Sequence, residues 1–283
     1  PDAASLGGGS AWSTPAIDTE HDLLYFGTGN PSPQMNDVSR PGDNLYTVSL
    51  VALDANTGAL KWYYQQVPHD LWGYDLASPP VLFDYTNTDG QIVPAVGQAS
   101  KTGWFYIHNR LTGELLKKSD AFVPQKNMFA KATFAGEVLY PGILGGSNWS
   151  PVSLDESKQL AFVSGIHAPI KYTLHETAAT ETSPVLRYTS SEPTNDPSWG
   201  LLSAIDLKTG KMAWQNKTEQ PLLGGSLATA GGLVFMGEGN GNFNAYNSQT
   251  GALLWQTKSD FGVNAPPISY MVDGVQYIAV ASG

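Results

Sequence analysis

The chain has no cysteine among its 283 residues. That excludes a disulfide framework and a thiolate metal centre, and leaves the redox compartment open. Basic residues are scarce as well: 15 Lys and Arg stand against 25 Asp and Glu, for a formal net charge of −10. The cations are scattered, whereas a nucleic-acid-binding face gathers them, so no nucleic-acid partner is expected. No apolar run approaches the ~18–20 residues that span a bilayer as a helix. Convincing 3.6-residue periodicity is missing too, which argues against helical solenoids. At 14% charged and 41% hydrophobic, the chain is too lightly charged for a coiled coil and too apolar for a disordered segment. It opens on PDAASLGGGS, without Met or a signal peptide, and ends on YIAVASG, which reads as a strand cut short. A fragment or a processed chain is expected.

What is plentiful is glycine (30), proline (19), tyrosine (13) and tryptophan (8), a composition suited to short strands and many turns. The chain also repeats itself. ALDANTGALKW at 52–62, AIDLKTGKMAW at 204–214 and AYNSQTGALLW at 245–255 share the pattern A-x-[DN]-x-x-T-G-x-x-x-W. A degenerate copy, YIHNRLTGELL at 106–116, lacks the final Trp. A second pattern aligns WSTPAIDTEHDLLYFGTG from Trp12 with WSPVSLDESKQLAFVSG from Trp149, and GGSLATAGGLVFMGEG from Gly224 is a diverged relative.

Each unit reads as strand–turn–strand. In the first pattern the Asp or Asn side chain can bond turn amides, glycine supplies the positive φ, and the strand resumes into Trp. Units of about 40–55 residues with several short strands are the signature of a β-propeller. The expected fold is all-β: one partial propeller over 1–283, made of about four to five four-stranded antiparallel blades. A Trp that recurs at one position in each copy is expected to pack between blades, so Trp62, Trp214 and Trp255 should be buried. Residues 171–200 are polar and poor in large aliphatics, and read as a long surface loop or inter-blade excursion. An open arc leaves its end blades with unpaired edges, so missing blades are expected from further sequence, another chain or self-association.

One stretch is denser in polar and aromatic groups than any turn requires. PHDLWGYD at 68–75 gathers a histidine, two aspartates and two aromatics around Gly73. GTGNP at 27–31, RPGDN at 40–44, SKTGWFYIHNRLTG at 100–113 and GGSNWSP at 145–151 lie around it in sequence. Together with the T-G-x-x-x-W units, these segments closely resemble the quinoprotein alcohol dehydrogenases, among them methanol dehydrogenase and alcohol- and sugar-oxidising relatives that use pyrroloquinoline quinone (PQQ). The resemblance runs from Trp12 to the end of the chain. It implies the C-terminal half of an eight-bladed propeller with tryptophan-docking motifs, and with PQQ and a metal ion near the axis. By the resemblance, Trp12 floors the PQQ ring, Lys101 contacts its quinone oxygens, Asn148 contacts PQQ, and Asn30 is a metal ligand. The same alignment puts Gly73 at the position of the catalytic aspartate.

The chemistry explains why a carboxylate belongs there. A positioned base takes the alcohol proton and is typically worth ~10²–10⁴ in rate; glycine supplies none. Asp75 lies two residues on, on the same side of an extended chain. In the lanthanide-using branch of the family an aspartate at this offset is a metal ligand, so Asp75 is either a ligand or a substitute base. Asp70 and His69 are weaker candidates. The bland alternatives stay open: Asp75 capping a turn, His69 in a loop, Asn30 and Asn148 as turn residues, Lys101 as a solvated turn lysine, and Trp12 packing between blades.

The resemblance therefore implies a PQQ- and Ca²⁺- or lanthanide-dependent dehydrogenase of an alcohol or sugar hydroxyl. A periplasmic or secreted setting and an electron acceptor such as a cytochrome or quinone go with it. The alternative is a PQQ-like propeller that lost its base and serves as a binding or scaffolding module.

Overall fold

The computed structural model describes residues 7–36, 40–178, 180–181 and 186–283. Its first sheet joins β1 (Ala16–Asp18), β2 (Leu23–Gly27), β3 (Ser49–Asp54) and β4 (Leu60–Gln65), paired in chain order and antiparallel throughout. The second repeats that meander with β5 (Val81–Thr86), β6 (Ile92–Ala99), β7 (Phe105–Asn109) and β8 (Leu115–Lys118). After β9 (Glu137–Leu139) the third blade begins with β10 (Ser153–Asp155) and β11 (Leu160–His167). An excursion of β12 (Ile170–Thr177) and β13 (Leu186–Pro193) follows, and β14 (Trp199–Asp206) and β15 (Met212–Thr218) complete the blade. The fourth is β16 (Ser226–Ala228), β17 (Leu233–Gly237), β18 (Asn242–Asn247) and β19 (Leu253–Lys258); the hairpin β20 (Ile268–Val272) and β21 (Val275–Ala279) follows it. Four full blades and one hairpin match the unit count, and the described residues form no helix.

The turn chemistry of the repeat is present at all four copies. Asp54, Asn109, Asp206 and Asn247 each accept, at Oδ1, the amide of the threonine three residues on, at 2.9, 3.2, 2.7 and 3.0 Å. The next residues, Gly58, Gly113, Gly210 and Gly251, all lie at φ between +73° and +78°, where a side chain is strained.

The fourth residue after each glycine meets the glycine turn of the next blade at three of the four copies. Trp62 is buried and donates from Nε1 to Arg110 O at 3.0 Å, its ring so close over Gly113 that a Cβ there would fall 2.7 Å from Cδ2. Trp214 is half-buried, donates to Ser248 O at 2.9 Å and covers Gly251 in the same way. In the degenerate copy the Lys117 stem takes the ring's place, 3.2 Å from where a Cβ on Gly210 would lie. Trp255 departs from the expectation: it is 50% exposed. Among the described residues the β20–β21 hairpin follows this blade, and the ring contact of Trp255 is with Phe243 of its own blade.

A second staple between blades runs through serine hydroxyls, two of which, Ser13 and Ser150, directly follow the Trp of the second repeat pattern. Ser13 donates from its hydroxyl to Ala77 O, Ser78 to Ser150 O at 2.9 Å, and Ser150 to Leu223 O at 2.9 Å. Each hydroxyl lies shortly before its blade's first strand and reaches the corresponding segment of the next blade. Between the second and third blades the largest apolar cluster forms, with Phe83, Phe105, Phe122, Val163 and Ile205 buried together.

Much of 171–200 is strand rather than loop. β12 and β13 pair over eight residues, and β9 joins the other edge of β12. Its Thr and Tyr residues favour extended chain even without large aliphatics. The base of this sheet is apolar: Leu139, Ile170 and Tyr172 pack with Met35 and against Trp72.

Candidate functional site

Antiparallel meanders bring the start of one strand and the end of the next to the same edge of a blade. Trp12 precedes β1, Asn30 follows β2, Asp75 precedes β5, Lys101 follows β6 and Asn148 precedes β10. The topology therefore carries all five to one end of their sheets.

Lys101 is the centre. Its side chain is buried, and Nζ donates to Asp75 Oδ1 at 2.9 Å and to Gly73 O at 3.0 Å. The Trp12 indole donates to the other Asp75 oxygen, Oδ2, at 3.1 Å. A buried ion pair is stabilised only when its remaining donors and acceptors are also met; here both carboxylate oxygens and two of three ammonium N–H groups are engaged. Gly145, at φ +80°, lies flat on the Lys101 stem, since a Cβ there would fall 2.3 Å from Cγ. Gly146 N donates to Lys101 O at 2.7 Å and Ser147 N to Ser100 O at 3.1 Å, which hangs the Asn148 segment on the lysine's own backbone. Asn148 is buried, and its Oδ1 has no partner among the described residues. Asn30 donates from Nδ2 to Pro31 O, leaving Oδ1 free of that bond. Its neighbour Gly29 abuts the carboxylate: a Cβ there would fall 3.1 Å from Asp75 Oδ2.

Several alternatives resolve. Lys101 is no solvated turn lysine, and Trp12 is 46% exposed rather than packed between blades. Asp75 does not cap a turn. Asp70 does: its carboxylate accepts from the amides of Trp72 (3.0 Å), Gly73 (3.1 and 3.2 Å) and Tyr74 (3.0 Å). Burial pushes the Asp70 carboxyl up to about 6, against the pull of those amides and with a further upward push from Asp75. His69 is a loop residue whose Nδ1 pairs with Gly42 O at 2.6 Å.

Gly73 is shaped for glycine. It lies at φ +81°, and a Cβ would fall 2.7 Å from Gln34 Nε2 and 2.9 Å from Ile143 Cγ1. Placing an aspartate here therefore needs more than the substitution itself. Around it, Tyr74 donates to Met128 O and Pro141 O, and Tyr172 donates to Trp72 O. Burial raises both phenols well above the usual range, so they stay donors.

Arg40 is not among the sequence candidates, although it opens the RPGDN segment. Its buried guanidinium donates to Pro33 O, to Asn44 Oδ1 and to Asp70 O, at 3.0, 2.7 and 2.8 Å. Asp18, Glu20 and His21 form the one cluster among the described residues whose carboxylate and imidazole atoms could meet on an ion, but Arg110 already pairs with Asp18 at 2.8 Å.

The model of the glucose/ethanol/alcohol dehydrogenase β-propeller domain, the PQQ family, matches residues 2–128 and 117–278. The quinoprotein alcohol dehydrogenase PedE of Pseudomonas putida is 33% identical over 312 residues, covering 100% of this chain and 49% of the relative. The quinohemoprotein alcohol dehydrogenase of Comamonas testosteroni is also 33% identical, over 98% of this chain and 42% of its own length. Its crystal structure superposes with a TM-score of 0.86 over 98% of this chain and 45% of that one. A europium-containing methanol dehydrogenase superposes with a TM-score of 0.87 at 29% identity, over 100% of this chain and 52% of that one. The chain thus spans about half the length of the relatives it matches. Five segments, one blade architecture and a family model over almost the whole length agree: the chain belongs to the PQQ-dependent family of alcohol dehydrogenase β-propellers.

Proposed function

We propose that this chain contributes the cofactor-facing cleft of a PQQ-dependent alcohol dehydrogenase, with Lys101, Trp12 and Asn148 as its PQQ contacts. The observation that carries the reading is the Lys101 clamp. A buried ammonium, two of its three donors engaged among the described residues, lies on the sheet edge that also holds Trp12 and the unpartnered Asn148 Oδ1. A buried polar atom without a partner costs ~1–3 kcal/mol and calls for a ligand or water. PQQ, when bound, supplies a quinone carbonyl that accepts a hydride from the alcohol carbon.

Asn30 and Asp75 suit a hard cation, Ca²⁺ or a lanthanide, because they offer oxygen. Such ions take 6–8 oxygens, so these two residues are part of a set that further groups would complete. No side chain at 73 can take the alcohol proton. Asp75 is the one carboxylate among the described residues that pairs with Lys101, and Lys101 and Trp12 hold it in place. Turnover is accordingly expected to be slower than a base-equipped site by ~10²–10⁴. A periplasmic setting and a cytochrome or quinone as electron acceptor belong to the same reading.

The test is titration of the purified protein with PQQ in the presence of Ca²⁺ or La³⁺, followed by quinone absorbance and dye-linked ethanol oxidation. Saturable binding that Lys101→Ala weakens at least ~10-fold is expected. Binding that ignores Lys101, or no binding under either ion, overturns the reading. Gly73→Asp combined with Ile143→Ala, which removes one of the two side chains a Cβ there would meet while the Gln34 end swings aside, should then raise turnover by ~10²-fold.

A further inference from the structure

We propose that Asp70 is a positioning residue for the Lys101 clamp: it folds the Trp72–Tyr74 backbone into the shape that presents the Gly73 carbonyl and the Asp75 carboxylate to one ammonium. Its weight for catalysis rests on the cofactor reading of Lys101, whereas its geometry does not.

Two partners of Lys101 come from residues 73 and 75. Nothing in an ordinary extended chain makes a carbonyl and a side chain two residues apart converge on one atom. Here Gly73 is left-handed and its carbonyl meets Nζ, while three consecutive amides, those of 72, 73 and 74, converge on the Asp70 carboxylate. An ionised carboxylate has about four acceptor sites and no donor, which suits such a nest of N–H groups. An asparagine offers one oxygen and turns an NH₂ toward N–H groups.

Asp70 is itself held. Arg40 Nη2 donates to its backbone carbonyl, and the same guanidinium binds Asn44 and Pro33 O, on the loop that carries Asn30. On the far side Tyr172 fixes Trp72 O, and Tyr74 is anchored to Met128 and Pro141. The strand-free segment 68–75 is thus pinned at 70, 72 and 74. The two groups it presents between and beyond those pins, Gly73 O and the Asp75 side chain, both go to Lys101. Burying a carboxylate at this position has a cost that an exposed turn cap would avoid.

The readout is the accessibility of the Lys101 amine to reductive methylation, followed by peptide mass spectrometry on the whole chain. In the parent protein Lys101 should label slowly. Asp70→Asn should raise its rate by ~10-fold or more while Lys158, paired with Asp155 at 2.8 Å, labels as before. An unchanged Lys101 rate in folded Asp70→Asn overturns the proposal. If that variant does not fold, Arg40→Gln keeps the carboxylate and loosens its mount; there a several-fold rise supports the role and an unchanged rate overturns it. The cofactor arm is a double-mutant cycle in PQQ affinity. Asp70→Asn and Lys101→Ala should be strongly non-additive, since both act through one clamp, and additivity counts against the role. Lys101→Ala without effect on PQQ would refute the cofactor reading and leave the labelling result standing.

Discussion

Trp62 and Trp255 occupy the same place in the same motif, yet one is sealed and the other half in water. Trp62 lies over the Gly113 turn of the next blade, bonds Arg110 O, and stacks beside the buried His108 at 6.2 Å between ring centres. The ring partner of Trp255 is Phe243 of its own blade, met edge-on at 6.3 Å. At the opposite end, the Gly58 turn has the same backbone as Gly113, but a Cβ on Gly58 would meet nothing within 4 Å among the described residues. The repeat thus specifies a knob and a seat, and neither is worth anything until a neighbouring blade supplies the other. Family membership is legible in the motif; burial is a property of the pair.

Truncating each ring in turn separates the covered tryptophan from the uncovered one. Trp62→Ala should destabilise by ~3–5 kcal/mol, whereas Trp255→Ala should change stability by less than about 0.5 kcal/mol, as at an ordinary surface site. Urea denaturation of both variants measures the difference, and equal losses would mean that Trp255 is covered in solution. The seats give a smaller version. Gly58→Ala should cost about 1 kcal/mol, the strain of a positive φ alone. Gly113→Ala adds a Cβ 2.7 Å from the Trp62 ring and should cost about 1–3 kcal/mol more through overpacking. Thermal melts of the two alanine variants isolate the ring's contribution at constant backbone geometry.

The third difference is pH. Burial pulls the His108 imidazole down to about 4. A folded-state value below the unfolded one means that the unfolded chain binds the extra proton. Stability contributed by neutral His108 is therefore complete above about 6.5 and is lost as pH falls toward 4. Asp70 slopes the other way: its folded-state value, raised to about 6, gives a contribution present below about 4 and lost as pH rises through 6. His108→Gln should flatten the acid side of the stability profile, and Asp70→Asn should flatten the opposing slope. A His108→Gln protein with unchanged acid sensitivity would show that the Trp62 interface stays closed around a charged imidazole.

The site was legible to an unequal degree. Lys101, Asp75, Trp12 and Asn148 were marked by motif, and the structure joins the first three by hydrogen bonds and hangs the fourth on the Lys101 backbone. The sequence ranked Asp75 above Asp70 as a ligand or base and left a turn cap open for Asp75, because either aspartate of PHDLWGYD can cap or pair. Only the direction of the 72–74 amides assigns the cap to Asp70. Arg40 was hidden because its acceptors among the described residues lie on three separate segments, at 33, 44 and 70.

Whatever depends on near neighbours is written into the local sequence. The four [DN]-x-x-T-G turns, their left-handed glycines and the strand-by-strand meander follow from interactions within a few residues. Which partners meet across blades emerges with the packing of the folded chain. That packing covered Trp62 and Trp214, left Trp255 in water, put a lysine stem where a ring was missing, turned much of 171–200 into paired strands, and closed Gln34 and Ile143 over Gly73. Each of these depends on the space another segment leaves, and that space is set by packing between chain segments far apart in sequence, which no local pattern encodes.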